Sequence, residues 1–188
     1  MKKIGVLALQ GAFLEHERAV SAAGAEAFEI RNSAGLRREM DGLILPGGES
    51  TVMGKLLREL GLFEPLRTQI LEGLPVFGTC AGLILLAQEI TGERPYLGTM
   101  GITAVRNAYG RQLGSFECAA EFAECGEIPM RFIRAPYIAQ VERRVTVLAE
   151  VEGRIVAARE GRQLVTAFHP ELCENTAVHR YFLEMCGR

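Results

Sequence analysis

A cysteine flanked by glycines at a strand-to-helix junction can act as a nucleophile, and Gly78-Thr79-Cys80-Ala81-Gly82 has that form. So tight a turn needs small neighbours, and the glycines let strand and helix approach closely. A thiol at a helix N-terminus has its reactive thiolate stabilised by the helix dipole. The N–H of Ala81 then points where an oxyanion would form. The competing reading is a buried cysteine in a Gly-rich turn; the paired glycines and the placement favour the nucleophile. Such a thiol needs a base and a group to orient it. His169 stands in His169-Pro170-Glu171, just past an apolar run. In extended chain, residues i and i+2 share a side, so Glu171 is expected to reach the His169 ring and set its tautomer. The order Cys…His-x-Glu differs from the Ser…acid…His order of α/β-hydrolases, which argues against a lipase or esterase. His16 and His179 lie in charged helices, and both are expected at the surface. A third turn, Pro46-Gly47-Gly48-Glu49-Ser50, precedes another helix. Ser50 suits a helix N-cap. The turn has neither the Lys nor the spacing of a phosphate-binding loop. Its Gly48 N–H is a candidate second oxyanion donor, opposite Ala81.

The elements that must hold these turns alternate. Apolar runs at 4–9, 27–30, Gly42–Leu45 and 75–78 read as strands, and 12–23, 51–60, 62–71 and 81–90 as helices, the middle pair broken at Gly61. This order implies a mostly parallel sheet with helices on both faces. Ligands in such sheets bind beyond the carboxyl ends of the strands, where the turns at Gln10–Gly11, 46–50 and 78–82 all fall. The second half carries short strand-like runs at 102–105, 115–118, 130–133, 145–151, 155–158 and 164–167. They suggest an antiparallel extension of the same sheet, closed by a helix at 176–185. No repeat or linker divides the chain, so 1–188 reads as a single domain.

Composition narrows the function classes. With 48% hydrophobic residues and a net charge of −2, disorder is excluded, and no basic surface for nucleic acid or anionic membrane is expected. No apolar run approaches the roughly 18–20 residues of a membrane span. The start, MKKIGVLALQGAF, has the charge order of a signal peptide, but its apolar run is only strand-length and charged residues follow. It reads as a buried first strand, and the protein as cytoplasmic. Cys80, Cys118, Cys125, Cys173 and Cys186 show no CxxC spacing, so neither a disulfide framework nor a metal site is expected. Apart from Cys80 they are read as small packing or surface residues, with Cys173 close enough to Glu171 for its oxidation to disturb that carboxylate.

GTCAGL at 78–83, PGGES at 46–50 and HPE at 169–171 resemble the class I, triad-type glutamine amidotransferases. LALQGAFLEH at 7–16, LPGGEST at 45–51, RNAYGRQ at 106–112, FIRAP at 132–136 and FHPEL at 168–172 are similar to the glutaminase subunits of pyridoxal 5′-phosphate synthases, nearly end to end. The resemblance implies a three-layer, open, mostly parallel α/β sheet of flavodoxin-like type. It implies hydrolysis of L-glutamine to glutamate and ammonia, with Cys80, His169 and Glu171 as the triad. It implies glutamine-binding roles for Gly48, Glu49, Ser50, Arg106, Ile133 and Arg134. Of these, Glu49 is expected to meet the substrate ammonium, and Arg106, with Arg134, the carboxylate. No cofactor is implied. The partner implied is a (β/α)8-barrel synthase subunit, twelve of which form a core carrying the glutaminases in a 12+12 complex. Gln10, near the Gly48 loop, is expected to set that loop when the partner docks. Val52 and Ala167 stand where Thr and Ser are familiar; both flank the chemistry. Two alternatives are a glutaminase of another ammonia-channelling enzyme, such as the imidazole glycerol phosphate synthase type, and a non-catalytic module on the same fold. A third is a redox-sensing cysteine protein.

Overall fold

The computed structural model describes residues 1–106 and 114–187. Strands are β1 (Lys3–Leu7), β2 (Glu26–Ile30), β3 (Gly42–Leu45), β4 (Val76–Thr79), β5 (Ala87–Ile90), β6 (Met100–Val105), β7 (Ser115–Phe122), β8 (Gly126–Ile133), β9 (Tyr137–Val141), β10 (Thr146–Val151), β11 (Arg154–Glu160) and β12 (Gln163–Thr166). Helices are α1 (Phe13–Ala22), α2 (Ser33–Leu36), α3 (Ser50–Glu59), α4 (Phe63–Leu71), α5 (Ala81–Leu86) and α6 (Ala177–Met185), with a 3-10 turn at Pro170–Leu172.

One ten-stranded sheet has the order β2-β1-β3-β4-β12-β11-β9-β6-β5, with β10 paired to β11. The strands from β2 to β12 run parallel. The antiparallel pairs β12–β11, β11–β9 and β9–β6 follow. Strands β1, β3 and β4 are buried almost throughout, as helices on both faces require. The chain leaves β1 toward β2 on one side and returns to β3 on the other. Right-handed crossovers therefore put α1 on one face and α3–α4 on the opposite face. The crevice beyond β1, β3, β4 and β12, at their carboxyl ends, is where the fold leaves room for a ligand.

Three differences from the sequence expectation have physical causes. The helix expected over 81–90 stops at Leu86, and Ala87 turns into extended backbone at φ −59°, ψ 132°. Residues 87–90 then pair with β6, so tertiary pairing overrides an apolar run too short to declare its period. Strand β9, unanticipated because it is half-exposed, bridges β11 and β6. The expected antiparallel extension also loses two strands. β7 and β8 form a separate two-stranded ribbon, turned through Glu124 and Gly126 at positive φ. Phe116 and Phe132 stack on it with ring centres 4.5 Å apart, and Phe132 meets Phe168 edge to face at 5.8 Å. The ribbon thus covers the carboxyl end of β12, where His169 emerges. No helix among the described residues is long and apolar enough to cross a membrane.

Candidate active site

Cys80 takes φ 48°, ψ −96° as the residue before α5, a conformation that only a tightly constrained turn holds for a non-glycine residue. Its neighbours must be glycine for measurable reasons. A Cβ on Gly78 would lie 2.6 Å from the Gly82 carbonyl carbon, and one on Gly82 would lie 2.1 Å from the Leu45 oxygen. The Cys80 N–H donates to the Thr166 carbonyl at 2.8 Å, which ties the turn to the end of β12. Ala81, nine-tenths and more buried, opens the helix, and its N–H is one of those the helix ladder leaves without an acceptor.

His169 follows β12, and its backbone N–H donates to the Arg131 carbonyl at 2.8 Å, so the ribbon anchors it. Its Nδ1–H donates to Glu171 Oε1 at 2.7 Å. The contact between His169 and Glu171 is as the sequence suggests, but the local geometry differs. Residues 170–172 form a 3-10 turn, not extended chain, and it is the turn that brings Glu171 back under the ring. Burial alone would depress the His169 imidazolium; hydrogen bonds to Cys80 and Glu171, and their charges, raise it to about 10. For Glu171, burial opposes ionisation, but the facing imidazoles of His16 and His169 hold its carboxyl below the usual range.

The folded chain keeps on His169 a proton that the unfolded chain, with its ordinary value of 6.5, releases before about 10. Its contribution to stability is complete below pH 6.5 and is lost as pH rises to about 10. Glu171→Gln should flatten that decline in thermal melts and move the His169 NMR titration down toward 6.5. A variant His169 that still titrated near 10 would refute the role given to Glu171.

The second turn arrives from β3. Gly47 lies so close that a Cβ there would sit 2.4 Å from His169 Cε1. The Gly47 carbonyl accepts from the Ala12 N–H at 3.0 Å, and Gln10 Oε1 accepts from the Glu49 N–H at 2.8 Å. The Gly11 turn and Gln10 therefore brace this loop. The N-cap of α3 is Glu49, not Ser50: its carboxylate accepts from the N–H groups of Thr51 and Val52 at 3.0 and 2.9 Å. A charged acceptor complements the helix dipole better than a hydroxyl, and Ser50 is instead buried as the first helical residue. Arg106 Nη2 donates to Glu49 Oε1 at 3.0 Å, and its Nη1 to Glu93 at 2.8 Å.

These parts surround one cavity of about 370 Å³. Gln10, Gly48, Glu49, Ser50, Cys80, Arg106, Ile133, Arg134 and His169 all line it, as does Ile84. At roughly 30 Å³ per water, this is room for a free amino acid of ten heavy atoms with solvent to spare. Of the lining residues, Cys80 and His169 are buried, whereas Arg106 and Glu49 are partly exposed. Arg134, at φ 43°, turns off the end of β8 into the wall, and its N–H donates to the Gly114 carbonyl. Ile84 was missed in the sequence, although it lies one helical turn beyond Cys80 and so shares its face. Asn107 to Gln112 of the RNAYGRQ stretch lie outside the described residues. No group of three or more His, Cys, Asp or Glu that could hold a metal is present among the described residues.

His16 and His179 correct the surface assignment: they are 0% and 1% exposed. His16 shares the inner face of α1 with Val20, one turn on, while Arg18 faces solvent. His179 lies between buried Val178 and Phe182 on α6. The i, i+4 pairing of His16 with an apolar residue was the available signal; the flanking charges masked it. Of the remaining thiols, Cys118, Cys125, Cys173 and Cys186 are each held toward the neutral form chiefly by burial. Cys173 Sγ lies 3.8 Å from the His169 carbonyl oxygen.

The family model described as the SNO glutamine amidotransferase family matches residues 6–188. A pyridoxal 5′-phosphate synthase subunit PdxT from Methanocorpusculum labreanum is 67% identical over 183 residues, covering 97% of each chain. One of the same name from Haemophilus influenzae is 55% identical over 188 residues, covering 98% of each. A crystal structure of a glutamine amidotransferase superposes with a TM-score of 0.93 at 47% identity, covering 98% of this chain and 99% of the other. The PurLQS structure from Thermotoga maritima, at 16% identity and a TM-score of 0.72, shares the fold.

Proposed function

The chain belongs to the SNO glutamine amidotransferase family, and from that premise we propose that Cys80, His169 and Glu171 make it the glutaminase subunit of a pyridoxal 5′-phosphate synthase. The observation that carries this reading is the strained elbow that sets Cys80 in one cavity with His169, which is itself held by Glu171.

The reaction is L-glutamine plus water to glutamate plus ammonia. Cys80 Sγ attacks the side-chain amide carbon. The thiol proton, held on His169 Nε2, passes to the leaving nitrogen as the C–N bond breaks, which leaves a thioester and ammonia. Water then attacks the thioester, giving its proton to His169; the carbon–sulfur bond breaks and glutamate leaves. Through both steps the oxyanion rests on the N–H groups of Ala81 and Gly48. The Gly47 carbonyl is held toward Ala12, and in a trans peptide the Gly48 N–H points the other way. Loss of one such donor typically costs about 10²–10³ in rate. Gln10, which holds the next peptide, is therefore suited to couple partner docking to turnover.

Glutamine is a zwitterion, and the cavity lining is matched to it. Glu49 has a carboxylate lone pair left on Oε2 after capping α3 and binding Arg106, and this takes the ammonium. Arg106, with Arg134, takes the carboxylate; Ser50 and Ile133 shape the wall. Arg106→Ala should raise the glutamine KM by about 10- to 100-fold with kcat little changed. Steady-state kinetics with the synthase partner checks this, and an unchanged KM refutes the assignment.

Ammonia so produced serves a (β/α)8-barrel synthase subunit, in a 12+12 complex, with residues 1–188 as one glutaminase domain. The cytoplasm, where thiols stay reduced, suits a reaction that depends on Cys80. Purified with its candidate synthase partner, the chain should support glutamine-dependent pyridoxal 5′-phosphate formation. Synthesis that proceeds only with added ammonia would overturn the assignment.

A further inference from the structure

Behind Glu171 lies a buried polar cluster that the three-residue mechanism leaves unused. The Glu171 side chain is fully buried, and its Oε1 is taken by His169. Among the described residues Oε2 has no hydrogen-bond partner within ordinary range, and His16 Nε2 faces it at 3.5 Å. That same nitrogen lies 3.0 Å from Thr79 Oγ1, on the residue preceding Cys80. On the other side of the ring, His16 Nδ1 lies 3.0 Å from His179 Nε2. The Phe77 ring stands edge to face against both imidazoles, at 5.9 and 5.7 Å between ring centres.

Building on the glutaminase reading, we propose that His16 is a positioning residue for the triad, donating its Nε2–H toward Thr79 Oγ1 and Glu171 Oε2, and that His179 sets the tautomer that makes this possible. Between the two imidazoles one nitrogen must donate. A proton on His16 Nδ1 would aim the Nε2 lone pair at the Glu171 carboxylate. It would also force the His179 proton onto Nδ1, which is buried and has no acceptor among the described residues. Two electrostatic penalties would result. With both protons on Nε2, His179 donates to His16, His16 donates toward Glu171, and only an imine nitrogen is left unpaired. The titratable groups facing His16 are Glu171, His169, His179 and, from its own helix, Glu15. Burial pushes both imidazoles toward the neutral form, His179 to about 3, so neither is protonated twice near neutral pH. The triad is then the visible end of a five-residue relay running from Cys80 to His179.

The conservative pair His16→Gln and His16→Asn tests this in the complex with the synthase partner. Gln carries an N–H close to the position of imidazole Nε2, whereas Asn, one carbon shorter, does not reach it. Active sites are counted by alkylation of Cys80 with a glutamine-mimicking diazo-ketone, so that folded fraction drops out of the comparison. Per titrated site, His16→Asn should lose about 10- to 100-fold in glutaminase kcat with KM within about twofold, because a buried carboxylate loses its donor. Its acid limb should move to higher pH as Glu171 becomes easier to protonate. His16→Gln should recover most of both. Equal kcat and equal acid limbs in the two variants would overturn the proposal. So would NMR of ¹⁵N-histidine-labelled protein showing His16 protonated on Nδ1. A wild-type complex that does not hydrolyse glutamine would instead refute the glutaminase reading itself.

Discussion

Cys80→Ala is expected to lower glutamine-dependent turnover by about 10⁶-fold, the loss typical of removing the nucleophile from a triad. Synthesis by the same complex supplied with ammonium salt should be unchanged, because the variant removes the source of ammonia and not its use. The fold should survive the substitution. Alanine keeps the Cβ of cysteine, so the positive-φ strain of the elbow is no greater, and only the sulfur is lost from a site 7% exposed. Thermal melts within a few degrees of wild type would confirm that. A variant retaining glutamine turnover would overturn the central assignment, whatever its stability. The paired assay also separates this reading from a redox-sensing thiol and from a non-catalytic module, neither of which predicts rescue by ammonium.

Gly82→Ala should be nearly as damaging, though by another route. The added methyl would sit 2.1 Å from the Leu45 carbonyl oxygen and 3.0 Å from its Cβ. Backbone on one side and backbone on the other leave no flexible group to yield, so α5 must back away from β3. Overpacking of this kind costs roughly 3 kcal/mol or more, a fall of about 6–12 °C in Tm for a chain of this size. The helix carries Cys80 with it. A displacement of about 1 Å at the nucleophile can cost about 100-fold in turnover. Calorimetry and glutaminase kinetics should therefore fail together. Normal turnover in a variant of wild-type Tm would show that the close helix–strand approach does not hold the elbow.

The elements around the site were legible in unequal measure. Strands β1, β3, β4 and β12 and the turns after them declare themselves as short apolar runs soon followed by Gly or Pro, because burial on both faces and a sharp turn are local demands. The helices α3 and α4 separate at Gly61 as expected. Strand β5 did not declare itself, since Ala87-Gln88-Glu89-Ile90 follows the apolar stretch 83–86 without a Gly or Pro between them and becomes a strand only by pairing with β6. Nor did the independence of the β7–β8 ribbon, whose alternating burial fits a sheet edge or a free hairpin equally well.

What the residues alone carry is the proposed chemistry: a candidate nucleophile, its base, the carboxylate that serves it, and the glycines that flank the turn. Those are local matters, written in residue type and in spacings of one or two positions. Tertiary structure decided what surrounds them. It placed Arg106 against Glu49, 57 positions apart in the chain, and His16 behind Glu171 with His179 behind it, across 163 positions. Charges beside His16 and His179 suggest solvent, but a helix face is buried by whatever packs on it. Only the docking of α1 and α6 against the sheet shows that both imidazoles point inward, away from water, with His16 facing Glu171 and His179 facing His16.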